Sequence, residues 1–108
     1  MRPLRRFWAK PMPTPTNLPH LQPLKLGRLV ATPAVLAQVP HDEMLAALHR
    51  HVSHDWGDVC PEDRNANDEA CRLGFRVLSV YRTRAGVRFW IIAEADRSST
   101  CVLLPEDY

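Results

Sequence analysis

The chain has 108 residues, 45% hydrophobic and 24% charged, enough for one globular domain and too few for two. No apolar run approaches the ~20 residues of a membrane helix, and no secretory core precedes a small-residue cleavage site. The net charge of +2 hides an asymmetry: residues 1–28 carry six Lys or Arg and no acid, while residues 29–108 carry eight Arg against twelve acids. The body is therefore mildly acidic, which argues against a duplex-binding face.

Residues 1–23 contain six of the ten prolines and read as a disordered, basic, Pro-rich arm. A solvated extension is the expected role, with contact to RNA or an acidic surface through its charges, Phe7 and Trp8 as the alternative. A single α+β domain is expected over 24–108. "LKLGRLVATP" has extended character, and Thr32-Pro33 pairs an N-cap with a first-turn proline, predicting a short helix over 33–39. The next helix starts at His41, with Asp42 and Glu43 at the positive end of its dipole and His49 and Arg50 near the other. Its predicted apolar stripe is Leu45, Leu48, Val52 and Trp56, and Gly57 can end it. "CPEDRNANDEACRLG" predicts a third helix from Pro61 to just before Gly74, with Ala66, Ala70 and Leu73 as its stripe.

The remainder alternates as strands do. "FRVLSVYRT" and "VRFWIIAEAD" flank the turn "RAG", and "STCVLLP" follows a turn at Arg97-Ser98. The expected fold is α+β: two to three N-terminal helices packed on one face of a C-terminal three-stranded antiparallel meander. The middle strand carries apolar bulk on both faces and belongs at the centre. The last strand, Ser99 to Leu104, is expected at an open edge where a second chain can pair, making a dimer conceivable.

"HVSHDWGDVCPEDRNANDEA" gathers two His, a Trp, a Cys and six acids. His49, His51, His54, Asp55, Asp58 and Cys60 suggest a metal cluster, but His49 and His51 lie two apart on a helix and cannot share a face. No second Cys/His pair completes a zinc tetrahedron, so no metal or other cofactor is expected. The structural alternative buries Trp56 with its indole N–H on an acceptor, turns the chain at Gly57 and caps the next helix with Asp58. Glu94 and Asp96 are expected on one strand face, with Arg82 or Arg88 pairing with Glu94. Cys60, Cys71 and Cys101 cannot all pair within one chain, which suits a reduced, cytoplasmic protein. No Gly-rich phosphate loop or nucleophile signature occurs, and no catalytic residue is assigned.

The segments "VATP", "RHVSHDWGDV", "RVLSVY" and "EADRSSTCVLLPEDY" resemble a family of short proteins of bacterial plasmids and integrative elements, circulating as "plasmid-related protein" or "type I restriction endonuclease subunit M". The resemblance covers about Leu26 to Tyr108. Its matching positions are Arg50, His51, Asp55, Trp56, Gly57, Asp58, Trp90, Glu94, Asp96, Arg97 and Ser98. Ala34 and His54 stand where the family pattern has glycine, and Ala93 and Cys101 where it has threonine. The resemblance implies a mobile-element setting and no defined chemistry. Methyltransferase activity does not carry over: 108 residues cannot hold the cofactor-binding α/β domain, and no Asn-Pro-Pro type site is present.

The expected function is a non-enzymatic protein-interaction module, linked to restriction or other defence systems by association only. Its expected contact surface is Arg50, His51, Asp55, Trp56 and Asp58 with Glu94, Asp96, Arg97 and Ser98, against an unknown protein partner. Two alternatives stand beside it. One is a RelE/ParE-like toxin acting on mRNA or gyrase through Tyr81, Arg82, Arg84 and Arg88. The other is a small metal-binding domain.

Overall fold

The computed structural model describes residues 22–108. The predicted arm lies outside the described residues up to position 21. The elements are β1 (Arg28–Ala31), α1 (Pro33–Gln38), α2 (His41–Val52), α3 (Pro61–Leu73), β2 (Val77–Arg82), β3 (Arg88–Ala93) and β4 (Ser99–Leu103), followed by a 3-10 turn, Pro105–Asp107. The fold is α+β, as expected, and the third helix has its predicted bounds. Thr32 caps α1 as its residue type demands, its hydroxyl accepting from the Val35 N–H at 3.2 Å.

The sheet differs from the expected meander. It has four strands in the order β1-β4-β3-β2. The antiparallel run β2-β3-β4 is present with β3 inside, but β1 adds to β4 in parallel, Arg28 opposite Ser99 and Ala31 opposite Val102. The last strand is therefore an inner strand, and the outer strands are β1 and β2. A parallel pair needs a long crossover. Here almost the whole domain lies between the two partners, so no local pattern in "RLVA" announces the pairing.

Residues directly opposite one another share a face. One face carries Val77, Ser79 and Tyr81 beside Phe89, Ile91 and Ala93, then Thr100 and Val102. All three helices pack here. Val35, Val39, Met44, Ala47 and Leu48 join Tyr81, Phe89, Ile91, Val102 and Leu104 in the main core. A smaller cluster joins Leu24, Trp56 and Ala70 to Val77 and Ala93. Each fully buried aliphatic or aromatic side chain contributes about 1.5–3 kcal/mol of transfer free energy.

Both predicted helix stripes are shifted. On α2 the buried residues are Met44, Ala47, Leu48 and His51, while Leu45 is exposed. On α3 they are Asn67 and Ala70, with Ala66 and Leu73 exposed. In each case one polar residue, His51 or Asn67, occupies an interior position that hydrophobicity alone assigns to a neighbour. α2 also stops at Val52 rather than near Gly57, because the chain turns at His54 (φ 68°).

Candidate functional site

The joint after α2 is built on hydrogen bonds. The Arg50 guanidinium donates to the Asp55 carboxylate at 2.8 and 3.2 Å and lies 5.0 Å from the centre of the Tyr81 ring. That hydrogen bond holds the Asp55 carboxyl below its usual range. Asp55 also accepts from the Gly57 N–H, and its backbone carbonyl accepts from the Tyr81 hydroxyl at 2.7 Å. Burial pushes the Tyr81 phenol up to about 12. Trp56 is 2% exposed, and its indole N–H finds the acceptor its burial requires in Asp68, 2.9 Å away.

Residues 56–58 then run along the outer edge of β2. The Val80 N–H donates to the Trp56 carbonyl at 3.0 Å, and the Asp58 N–H donates to the Val80 carbonyl at 2.7 Å. Gly57 forms a parallel bridge with Val80 at φ 78°, and an added Cβ there would overlap the Val80 carbonyl oxygen. One step along, the Asn67 side-chain amide donates to the Leu78 carbonyl at 2.8 Å and accepts from the Leu78 N–H at 3.3 Å. Together these groups satisfy an edge that would otherwise stand open. Asp58 does not cap α3: the N-cap is Cys60 without a side-chain bond, and the Asp58 carboxylate faces Arg82 at 3.9 Å instead.

His51 is 0% exposed, lodged between α2 and the sheet, its Nδ1 hydrogen-bonded to Ser79 Oγ at 2.7 Å. Its ring meets Trp56 edge-on at 5.8 Å, and its Nε2 has no partner among the described residues. Burial, with Arg97 and His54 nearby, lowers its pKa to about 4. His54 turns away and pairs its Nε2 with the Gln22 carbonyl at 2.7 Å. The two histidines thus serve different partners. No group of three or more His, Cys, Asp or Glu converges as a metal site among the described residues. His51 and Trp56, both expected on the contact surface, are interior residues of this fold and present nothing to a partner.

The second expected patch is a turn held from inside. Arg97 takes φ 59°. Its guanidinium donates to the carbonyls of Phe75 (2.7 Å), Glu94 (2.8 Å) and Ala95 (3.4 Å), and to Ala70 at the end of α3 (3.1 Å). It binds the last turn of a helix to a sheet corner, adding a charged donor to the Ala70 carbonyl that already accepts from the Gly74 and Phe75 N–H groups. Asp96 accepts from the Ser98 N–H at 3.0 Å, and hydrogen bonds from Ser98 hold its carboxyl below the usual range. Asp96 sits in this turn beyond β3 rather than on the Glu94 strand face. The cation near Glu94 is Arg76, at 3.5 Å, rather than Arg82 or Arg88.

Arg50, Asp55, Asp58, Asp96 and Ser98 are exposed, and a further candidate surface lies on the sheet face away from the helices. Leu78, Val80, Trp90, Ile92 and Leu103 share it and belong to neither core cluster. Leu78 is 36% exposed and Trp90 half-buried, whereas Val80, Ile92 and Leu103 are buried. A groove of about 300 Å³ runs between Leu78, Trp90 and Ile92, with Asn67, Arg76 and Tyr108 at its border. Tyr108 stacks edge-on to Trp90 at 5.7 Å and accepts from Arg76 at 3.3 Å. The signal for this surface was present in the sequence: the middle strand is apolar on both faces, while three short helices suffice to cover only one.

The proposed toxin residues do not converge. Tyr81 is buried on the helix-covered face, whereas Arg82 and Arg88 oppose each other on the other. Arg84 lies beyond β2, at 3.5 Å from Asp42 and 3.6 Å from Glu43. Burial raises the Cys71 and Cys101 thiols, disfavouring the nucleophilic thiolate. No described helix is long and apolar enough to cross a membrane. Compared with protein-family models, curated proteins and solved structures, the chain matches none.

Proposed function

We propose that the chain is a non-enzymatic protein-interaction module, an accessory of a bacterial mobile element, whose contact surface is the sheet face around Leu78, Trp90 and Ile92. The mobile-element setting, and any link to restriction or other defence, rests on the sequence resemblance alone. The observation that supports binding is the apolar groove between Leu78, Trp90 and Ile92, edged by the Arg76–Glu94 pair. An apolar groove with a polar rim is the ordinary form of a protein contact. Trp, Tyr and Arg, all present here, are the residue types that dominate binding energy. Glu94 stays in the surface expected from sequence as part of that rim. Asp55 stays exposed with its carboxylate on Arg50, and Arg97 ties its turn to the end of α3.

The test is affinity capture from nuclease-treated bacterial lysate with the full chain and its Leu78→Asp variant. A protein captured in stoichiometric amount by the first and lost by the second is the expected result. Equal capture by both removes this face as the contact surface. A partner lost on nuclease treatment points to nucleic acid instead and removes the reading.

A further inference from the structure

The two outer strands of the sheet are treated very differently. β2 is closed by residues 56–58 and by Asn67. β1 has no such cover among the described residues. Its ladder to β4 runs through the Arg28 N–H to the Ser98 carbonyl and the Thr32 N–H to the Val102 carbonyl. In a parallel ladder alternate residues serve the same neighbour, so Leu29 and Ala31 turn their N–H and C=O groups to the open side. No hydrogen bond reaches those groups among the described residues. The side chains around them are apolar and uncovered: Leu29 is 47% and Val30 39% exposed, and Leu36 of α1 is exposed as well.

We propose that β1 pairs antiparallel with β1 of a second copy, Val30 lying on the two-fold axis, so that two four-stranded sheets join into one. Three observations select this occupant and this register. First, the outward groups sit at positions 29 and 31. With Val30 opposite Val30, Leu29 faces Ala31 of the partner and Ala31 faces its Leu29, and both outward residues of each strand are satisfied. Centring on Leu29 instead would call on Gly27, whose φ of 61° takes the backbone out of the strand. The chosen register also keeps side chains on matching faces, as antiparallel pairing requires.

Second, the edge is complementary to itself in charge. Arg28, exposed at one end, has no ion pair among the described residues. At the other end the Asp107 carboxylate accepts from the Thr32 hydroxyl at 2.7 Å and from the Leu104 N–H at 3.1 Å, with no ion pair among the described residues. Antiparallel pairing places each Arg28 opposite the partner's Thr32, within side-chain reach of that carboxylate. A parallel arrangement would set like charges together. Third, the closed edge of β2 offers no second site, so the pairing stops at two copies and does not propagate into a fibre. A four-residue edge falls short of the ~1,200 Å² of a standard interface, so the dimer is weak and concentration-dependent.

The experiment is sedimentation equilibrium of the full chain from about 10 µM to about 1 mM, a range that reveals weak dimers. The mass is expected to rise from 12.3 kDa towards twice that value. Leu29→Pro deletes an outward N–H that the monomer does not use, and should hold the mass at the monomer with an unchanged circular dichroism spectrum. Arg28→Glu, which touches no backbone bond, should weaken association several-fold. In a chain whose native cysteines are replaced by serine, Val30→Cys should cross-link on oxidation and Leu29→Cys should not. Monomer mass throughout overturns the proposal, as does a dimer indifferent to both Leu29→Pro and Arg28→Glu. Faster cross-linking through Leu29→Cys overturns the register. A monomeric chain whose β1 accepts only a strand of another protein overturns the second copy as occupant.

Discussion

His51 and Arg97 look alike in sequence, both polar residues in polar company, and the fold uses them in opposite ways. His51 is buried with one ring nitrogen unpartnered among the described residues. Its folded pKa of about 4 lies below the ordinary 6.5, so the unfolded chain takes up the proton first. Its contribution to stability is complete above pH 6.5 and is lost as pH falls towards 4. The change amounts to about 3 kcal/mol. His51→Asn keeps a donor near Ser79 but cannot titrate, so its unfolding free energy should fall less than the wild type's between pH 7 and pH 4. Parallel slopes for the two proteins would show that His51 is not the group that titrates. Arg97 does the reverse: it carries its charge to four carbonyls. Denaturant unfolding of Arg97→Ala should show a loss of about 2–3 kcal/mol, the range for hydrogen bonds from a charged group. His54 stands at φ 68°. His54→Gly relieves that conformation but gives up the bond to the Gln22 carbonyl, so the two effects oppose.

The helices and the β2-β3-β4 meander were legible because their signals are local. Thr32-Pro33, Pro61 with Glu62 and Asp63, and the alternation of Val87 to Ala93 all act within a few residues. The extended character of "RLVA" was legible but its pairing was not, because its partner lies across most of the chain. The interior roles of His51 and Asn67 were hidden for a different reason. A polar residue enters a core only when a specific partner awaits it, and Ser79 and the Leu78 backbone are partners that only the fold supplies. Asn67 deserves its own test. Asn67→Ala leaves both the N–H and the C=O of Leu78 without their side-chain partner, and thermal or denaturant unfolding should show a loss of about 1–3 kcal/mol. Asn67→Asp keeps the acceptor and loses the donor, so it should fall between.

Taken together, the acidic and aromatic stretch that invites a catalytic reading is spent on architecture. It turns the chain, seats Trp56 and closes one edge of the sheet. Of the expected contact surface, Arg50, Asp55, Asp58, Asp96 and Ser98 are exposed, whereas His51 and Trp56 lie inside. Among the described residues, no helix covers the sheet face around Leu78 and Trp90 and no strand pairs with the outer edge of β1. The stretch His51 to Ala70 was readable as a polar joint from its residue types, but its target was not, because the Val80 backbone lies on a strand formed later in the chain. The most direct measurement is residue-resolved amide hydrogen exchange on the dilute full chain, where self-pairing is negligible. Edge closure predicts that the Leu78 and Val80 N–H groups exchange at least about a hundredfold more slowly than those of Leu29 and Ala31, as expected for donors bonded inside the cooperative core. Exchange at Leu78 and Val80 as fast as at Leu29 would contradict it, since the joint and Asn67 would then not be holding the edge.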